Sequence, residues 1–370
     1  MSSLWAQFWA ARNPPAEPKH ISYLNKTVLV TGANSGLGHE AAVKYAALGE
    51  NPLILAVRTQ ENGEQAKEDI ISRTSCSPDI FIIETVDFST FAFVRAFSDR
   101  IVSHPLATQL HVTQLDAGVA QWQYEKSPDG YEVTLEVNVL SQALLALLLL
   151  PKMSATAAAS VPSDDSFVRH LSFLHSIAGF EVTADWLSPG QSPIQRYNDQ
   201  SKWDPTKQYY LAKLALWNVI EGLIDRCSKD EESRKVIINA SCPSGCKTNM
   251  GRNFPKFVKP ILADSTSSVA VQLSKEPALW SGLPRWAQRV TASFGGMTSF
   301  TSEDPVQTSF PLIVLPYLDV TDDSTCFLRP SEFMASQRGR EVSQETWHEV
   351  LEILRQRHLI PNAAWDSTVS

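Results

Sequence analysis

The sequence predicts an α/β fold, a doubly wound parallel sheet with helices on both faces. Three observations predict it. Short runs rich in β-branched residues alternate with stretches at helical spacing. The first of these runs, TVLVT, reads as a strand buried on both faces. A glycine-rich turn joins the first run to the first helix. In such folds ligands bind beyond the C-terminal ends of the strands.

Residues 27–31 (TVLVT) are the first expected strand and 40–48 the helix behind it. Further strands are expected at 52–57, 80–85, 109–115, 168–174 and 236–240. Between them lie a charged helix at 60–72, one through Val94 and Phe97, and long helical segments before each of the last two strands. The stretch 143–150 is apolar on nearly all sides, which predicts a helix buried in the sheet layer or in a subunit contact. Two segments break the alternation. Residues 181–203 carry Pro189, Gly190 and Pro193 and run into Asp204-Pro205, and 249–301 mixes prolines, glycines and aromatics. Both read as long loops, which inside a compact domain usually serve as lids or binding loops.

Before the first strand, Trp5, Phe8 and Trp9 lie at one-turn spacing until Pro14 and Pro15 stop the helix. Residues 1–25 therefore read as an amphipathic strap, packed on the domain surface or covering a membrane surface or substrate. Residues 26–370 read as a single domain with insertions at about 181–205 and 249–301.

Composition narrows the function. With 370 residues, a net charge of −8 and no basic run, the chain lacks a nucleic-acid footprint. Its charged fraction of 19% is below the roughly 25% of an average soluble protein, so the core is large or apolar surface is kept for a ligand. Cys76, Cys227, Cys242, Cys246 and Cys326 are scattered without metal-ligand spacing and read as free thiols in a reducing compartment. The most apolar run, 143–150, is too short to span a bilayer. Trp5, Gln7 and Arg12 interrupt any apolar signal segment, so a cytoplasmic protein is expected.

The turn after the first strand reads Thr31-Gly32-Ala33-Asn34-Ser35-Gly36-Leu37-Gly38. Glycines there let the backbone approach a pyrophosphate, and the helix N-terminus supplies open N–H groups and a positive dipole end. A structural turn is the plain alternative; its place between a buried strand and a helix favours dinucleotide binding. About twenty residues after Gly38 stands Arg58, where an acidic residue would select the free ribose hydroxyls of NAD. An arginine pairs with a 2′-phosphate instead, so NADP(H) is the expected cofactor.

Tyr209 and Lys213 are four residues apart in the apolar helical stretch 208–219, hence on one helix face. An ammonium there stabilises a phenolate and fits the tyrosine for proton transfer to or from a carbonyl oxygen. The spacing alone is a weak signal, and Tyr210 is a neighbouring decoy. Ser176, at the end of the fifth strand, is placed to hold a substrate oxygen or simply to cap a turn. Asn138 lies inside a helix, where asparagine is a poor residue, so a bonding task such as holding a water is expected. His175 is either a third polar group of the pocket or a satisfied core histidine.

Together these pieces resemble the classical short-chain dehydrogenase/reductase family, from about Lys26 to Thr248 and weakly beyond. The chain looks most like its retinol-dehydrogenase-like branch, which includes many fungal secondary-metabolite reductases. The resemblance implies a Rossmann core and a glycine turn carried by Thr31, Gly32, Gly36 and Gly38. It implies a catalytic tetrad of Asn138, Ser176, Tyr209 and Lys213, Asp87 against the adenine, and Thr248 on the nicotinamide carboxamide. Asn34, Ser35, Leu37, Arg58, Asp116, Ala117, Gly118, Pro243 and Gly245 complete the implied cofactor contacts, with Tyr209 also against the cofactor and Lys213 on the ribose. Two positions depart from the family pattern. Leu115-Asp116-Ala117-Gly118 puts Asp116 where an asparagine is usual, and Pro243-Ser244-Gly245 displaces a glycine. A buried carboxylate must be hydrogen-bonded or protonated.

The chain thus reads as an NADPH-dependent reductase of a bulky apolar ketone, such as a polyketide-type intermediate. Trp186, Trp203, Phe254, Phe257, Trp280 and Trp286 are candidate pocket walls. Oxidation of a secondary alcohol is the alternative within the same chemistry. A non-redox protein that binds NADP and catalyses dehydration or rearrangement is the other. The resemblance also implies a homodimer paired through the helix at 143–150 and the Tyr209 helix, unless the added loops cover them. No membrane span and no metal site are expected.

Overall fold

A computed structural model describes residues 23–158, 169–187, 190–241, 250, 254 and 332–361. Most of the strap, most of 249–301, and Pro243, Gly245 and Thr248 lie outside the described residues. Six strands, β1 (Val28–Thr31), β2 (Leu53–Val57), β3 (Phe81–Thr85), β4 (Val112–Leu115), β5 (Arg169–Leu174) and β6 (Val236–Ser241), form one parallel sheet in the order β3-β2-β1-β4-β5-β6. This is the expected doubly wound topology, and the order reverses at β1, between β2 and β4. The crevice outside the C-terminal ends of β1 and β4 is therefore the place for a ligand.

Strand periodicity divides the core into two layers. Val28, Val30, Leu53 and Leu55 face one side, where Ala42, Tyr45 and Ile70 pack from α1 (Gly36–Ala47) and α2 (Gln60–Thr74). Leu29, Ile54 and Ala56 face the other, against Phe97 of α3 (Phe91–Ser103), Leu144 of α4 (Ser141–Ala158) and Leu216 of α6 (Gln208–Ser228). Both layers demand apolar side chains along β1 and β2, so neither strand alternates with polar residues.

The helix that spans Val133–Thr156, with α4 as its main part, is long and apolar enough to cross a membrane, yet 94% of its most apolar stretch is buried inside the molecule. It is a core helix, which settles the reading of 143–150 in favour of the sheet layer. The insertion at 181–205 is less irregular than expected. It contains α5 (Pro193–Asn198), with proline at its first turn, and short 3₁₀ turns at Ala184–Trp186 and Gln200–Lys202. The start of α5 is held from far away. Glu349, on α7 (Gln337–Gln356), accepts from Ser192 Oγ at 2.5 Å and from the Ile194 N–H at 3.0 Å.

The same α7 lies along α6. Asn218 Nδ2 donates to Thr346 Oγ1 at 3.1 Å, Ser343 Oγ donates to Glu221, and the Trp347 indole occupies the space beside Gly222, where a Cβ would sit 2.3 Å from the ring. That side of α6, one of the two helices expected to pair subunits, is filled within a single chain.

Candidate active site

The turn after β1 is shaped by backbone. Gly32 and Gly36 have φ of +67° and +58°, the left-handed region that favours glycine. Gly38, inside the first turn of α1, leaves no room for a side chain, since a Cβ would lie 2.6 Å from the Gly32 carbonyl oxygen and 2.8 Å from that of Thr31. Ser35 is the N-cap, but its side chain makes no capping hydrogen bond, so the first N–H groups of α1 stay open. Asn34 and Leu37 are half-buried and Ser35 and Gly36 exposed on this turn. A cradle closed to side chains, under a helix N-terminus with open donors, fits a pyrophosphate. Thr31 holds the neighbouring strand end, its Oγ1 accepting from the N–H groups of Asp116 (2.9 Å) and Ala117 (3.0 Å).

Around this cradle stand the other expected cofactor residues. Arg58 follows β2, is exposed, and makes no hydrogen bond or ion pair among the described residues. Asp87 follows β3 and accepts from the Ser89 N–H at 2.9 Å through one oxygen. Ala117 and Gly118 continue from β4, where Gln142 Nε2 donates to the Ala117 carbonyl at 2.6 Å.

Asn138 sits in a π-helical turn, Glu136–Leu140, at the entry to α4. Such single turns recur at functional sites. Its side chain bonds to backbone. Oδ1 accepts from the Val119 N–H and Nδ2 donates to the Val119 carbonyl, both at 2.8 Å. Asn138 thus latches the loop after β4 to the helix, a bonding task inside the helix as its residue type suggested.

Tyr209 is half-buried in the first turn of α6, and Lys213 follows one turn later, 3% exposed. Lys213 Nζ lies 5.7 Å from the centroid of the Tyr209 ring and donates to the Leu174 carbonyl at 2.7 Å. The end of β5 grips the same lysine twice more. His175 Nε2 meets the Lys213 carbonyl at 2.7 Å, which makes that nitrogen the donor, and Gly179 approaches so closely that a Cβ would be 2.8 Å from the Lys213 carbonyl carbon. Burial, with the charge of Lys213, pushes the His175 ring down to about 3, so it is neutral and serves as packing between Phe180 and Trp217. His175 is thus a core histidine, bonded through Nε2 while its Nδ1 is buried without a hydrogen-bond partner among the described residues. Ser176 caps the 3₁₀ turn Ile177–Glu181, its Oγ accepting from the Ala178 N–H at 3.2 Å. The glycine turn, Asp116, Ser176, Tyr209 and Lys213 therefore all lie at the C-terminal end of the sheet.

Aromatic rings from separate segments border this end. Trp122 meets Phe254 (5.6 Å between centroids), Tyr124 meets Trp203 (6.2 Å), and Trp186 meets Tyr210 (5.9 Å) with Lys207 Nζ 4.8 Å above its ring. Phe257, Trp280 and Trp286 lie outside the described residues. Sequence reasoning passed over Gln142 and Gln114, both of which hold the loop after β4. Gln142 is four residues beyond Asn138, so helical spacing alone places the two on one face.

A family model described as short chain dehydrogenase matches residues 26–162. The chain is 32% identical over 360 residues to the short-chain dehydrogenase/reductase ffsI of Aspergillus flavipes, covering 96% of this chain and 94% of that one. It is 30% identical over 355 residues to the short-chain dehydrogenase/reductase phmF of Phaeosphaeria nodorum, covering 95% and 93%. To the short-chain dehydrogenase sdnK of Sordaria araneosa it is 35% identical over 271 residues, covering 68% and 74%. With these likenesses along nearly its whole length, and with the strand order and glycine turn described above, the chain belongs to the short-chain dehydrogenase/reductase family of oxidoreductases.

Proposed function

We propose that the protein is an NADPH-dependent carbonyl reductase acting on a bulky apolar ketone of polyketide type. The observation that carries this reading is the buried ammonium of Lys213, 5.7 Å from the ring of Tyr209 and at the same end of the sheet as a glycine cradle closed to side chains. Bound there, the cofactor would supply hydride. Its pyrophosphate would rest on the backbone of Gly32, Asn34, Ser35, Gly36, Leu37 and Gly38, and its 2′-phosphate on Arg58. Asp87 would meet the adenine, and Ala117, Gly118 and Lys213 the nicotinamide ribose. Pro243, Gly245 and Thr248 are assigned to the nicotinamide on the family pattern alone.

Tyr209 gives its proton to the carbonyl oxygen as negative charge develops there, and Ser176 orients that oxygen with its hydroxyl. Lys213 favours the phenolate left behind. Asn138 acts through the backbone, fixing the loop of Ala117–Val119 against the π turn. Trp122, Tyr124, Trp186, Trp203 and Phe254 supply apolar walls, which select for a large hydrophobic carbonyl compound over a small polar one.

The test is oxidation of NADPH by the purified protein across a panel of aliphatic and aromatic ketones. Turnover with NADPH at least tenfold above that with NADH is expected. Arg58→Ala should narrow the gap by weakening NADPH and leaving NADH unchanged, because an exposed guanidinium–phosphate pair is worth about 1.4 kcal/mol or more. NADPH binding without turnover on any ketone or alcohol would favour a non-redox role.

A further inference from the structure

The glycine turn is braced from behind by a histidine. His39 closes the first turn of α1, its backbone N–H donating to the Ser35 carbonyl at 3.4 Å, and its side chain is 13% exposed. Nδ1 lies 3.0 Å from the Ala33 carbonyl oxygen, and Nε2 lies 2.7 Å from Asp69 Oδ2 on α2. A carbonyl oxygen and a carboxylate only accept, so both ring nitrogens must donate, and a ring that donates twice is an imidazolium. Asp69 is ionised in this arrangement. Partial burial acts to raise its carboxyl, but the hydrogen bonds and charges of His39 and Arg73 outweigh burial and hold it below the usual carboxylate range.

The brace acts on one peptide. In a planar trans peptide the C=O and N–H point opposite ways, so fixing the Ala33 carbonyl on His39 aims the Asn34 N–H away from the ring. That N–H makes no hydrogen bond among the described residues, and it belongs to the turn whose backbone would hold a pyrophosphate. A neutral His39 keeps only one of its two bonds. The charge-assisted bond to Asp69 is the stronger, so the proton stays on Nε2. The Nδ1 lone pair then faces the Ala33 oxygen, acceptor against acceptor, and the peptide is released. Few other charges face the ring among the described residues. From α2 come Asp69 and Arg73, the latter donating to Glu40 of α1 at 2.9 and 2.7 Å and to Asp69 at 3.4 Å. Lys44, five residues on in α1, lies about 140° round the helix from His39. Arg58, after β2, pairs with none of them, and the glycine turn carries no titratable group. With His39 protonated, the charges of His39, Glu40, Asp69 and Arg73 sum to zero; with it neutral, one negative charge is left behind the turn.

We propose that protonated His39 is a positioning residue for the cofactor: it holds the Ala33–Asn34 peptide so that the Asn34 N–H is presented to the pyrophosphate, and dinucleotide affinity falls as the ring loses its proton. His39 touches no reacting atom and acts through the backbone of the turn. Its effect falls on the pyrophosphate, which NADPH and NADH share, and so is separate from that of Arg58 on the 2′-phosphate. The inference rests on the glycine turn as the dinucleotide site.

The test is a fluorescence titration with NADPH from about pH 6 to about pH 9, through the range where histidine changes charge, in the wild type, His39→Asn and Asp69→Asn. Ionisation of the cofactor's own 2′-phosphate is common to all three proteins and cancels when affinities are taken relative to His39→Asn. On that scale the wild-type affinity is expected to fall about tenfold across the range, the scale of one charge-assisted hydrogen bond. Asp69→Asn distinguishes a proton-dependent brace from a merely structural one. Its amide can donate to Nε2, so a neutral ring keeps both bonds with its proton on Nδ1, while Arg73 still ties α2 to α1 through Glu40. Its relative affinity should change less than about twofold and exceed that of the wild type at the alkaline end. A wild-type ratio that does not move with pH, or an Asp69→Asn slope as steep as the wild type's, would overturn the proposal. If Asp69→Asn does not fold, nitrogen NMR of the cofactor-free wild type reads the ring directly, with the His39 signals identified by their loss in His39→Asn. Protons on both nitrogens at about pH 6 are expected, and a single proton there counts against the proposal. Wild-type protein that binds NADPH at no pH would remove the dinucleotide reading and this inference with it; binding with the same pH profile in all three proteins removes this inference alone.

Discussion

Gly38→Val is expected to abolish NADPH binding. A Cβ at this position would meet the carbonyl oxygens of Gly32 and Thr31 at 2.6 and 2.8 Å, and both are backbone atoms that cannot swing aside. Relief requires α1 to move off the end of β1, which opens the turn and disperses the N–H groups that converge on a phosphate. A loss of at least about a hundredfold in NADPH affinity, roughly 2.8 kcal/mol, should appear in a fluorescence titration. Gly49 is the control. It also has a positive φ, +83°, yet nothing lies within 4 Å of the position its Cβ would take. Gly49→Asn tolerates that backbone and should bind NADPH as the wild type does.

Tyr209→Phe carries the second large effect. Only the hydroxyl is lost, so the ring keeps its place beside Lys213 and NADPH binding should change less than about threefold, within the 1.4 kcal/mol that one tenfold step represents. Without the donor, the proton for the carbonyl oxygen must come from water, and positioned acid catalysis typically contributes about 10²–10⁴-fold. Turnover should fall by that factor with the affinity for NADPH retained. Tyr210→Phe distinguishes the two adjacent phenols. Tyr210 packs its ring on Trp186, and its loss of a hydroxyl should cost turnover less than about tenfold.

What was legible in the sequence follows the range of the interactions involved. The strands β1 and β2 were legible because burial on both faces forces continuous apolar runs such as Leu53–Val57, which no neighbour needs to explain. The start of α1 was placed too late, at residue 40, because Gly36 and Gly38 read as turn residues; Gly38 is in fact the first-turn residue that lets the helix sit on the strand end. The helix α5 was hidden for a different reason. Its start is capped by Glu349, more than 150 residues away in the chain, and no local pattern reports such a partner. The extension of α6 to Ser228 likewise depends on α7 lying against it, with Trp347 over Gly222.

The site shows the same division. The Tyr209–Lys213 pair was legible because helical spacing fixes which residues share a face. Asn138 was recognised as out of place in a helix, but its partner, the Val119 backbone, is set by how the loop after β4 folds back. Asp116 was recognised as a buried charge in need of an explanation. Only the register of β4 against β5 revealed that it stands next to the carbonyl that anchors Lys213.

The central claim, hydride transfer to a carbonyl carbon at the ends of β4 and β5, is tested most directly by isotope transfer. The wild-type protein is given NADPH deuterated at the transferable position, together with the best ketone of the panel, and the product is read by mass spectrometry and NMR. The account predicts one deuterium on the new carbinol carbon, from one face of the nicotinamide only. Tight NADPH binding with no deuterium in any product, across ketones and at every pH where the protein is folded, would contradict it.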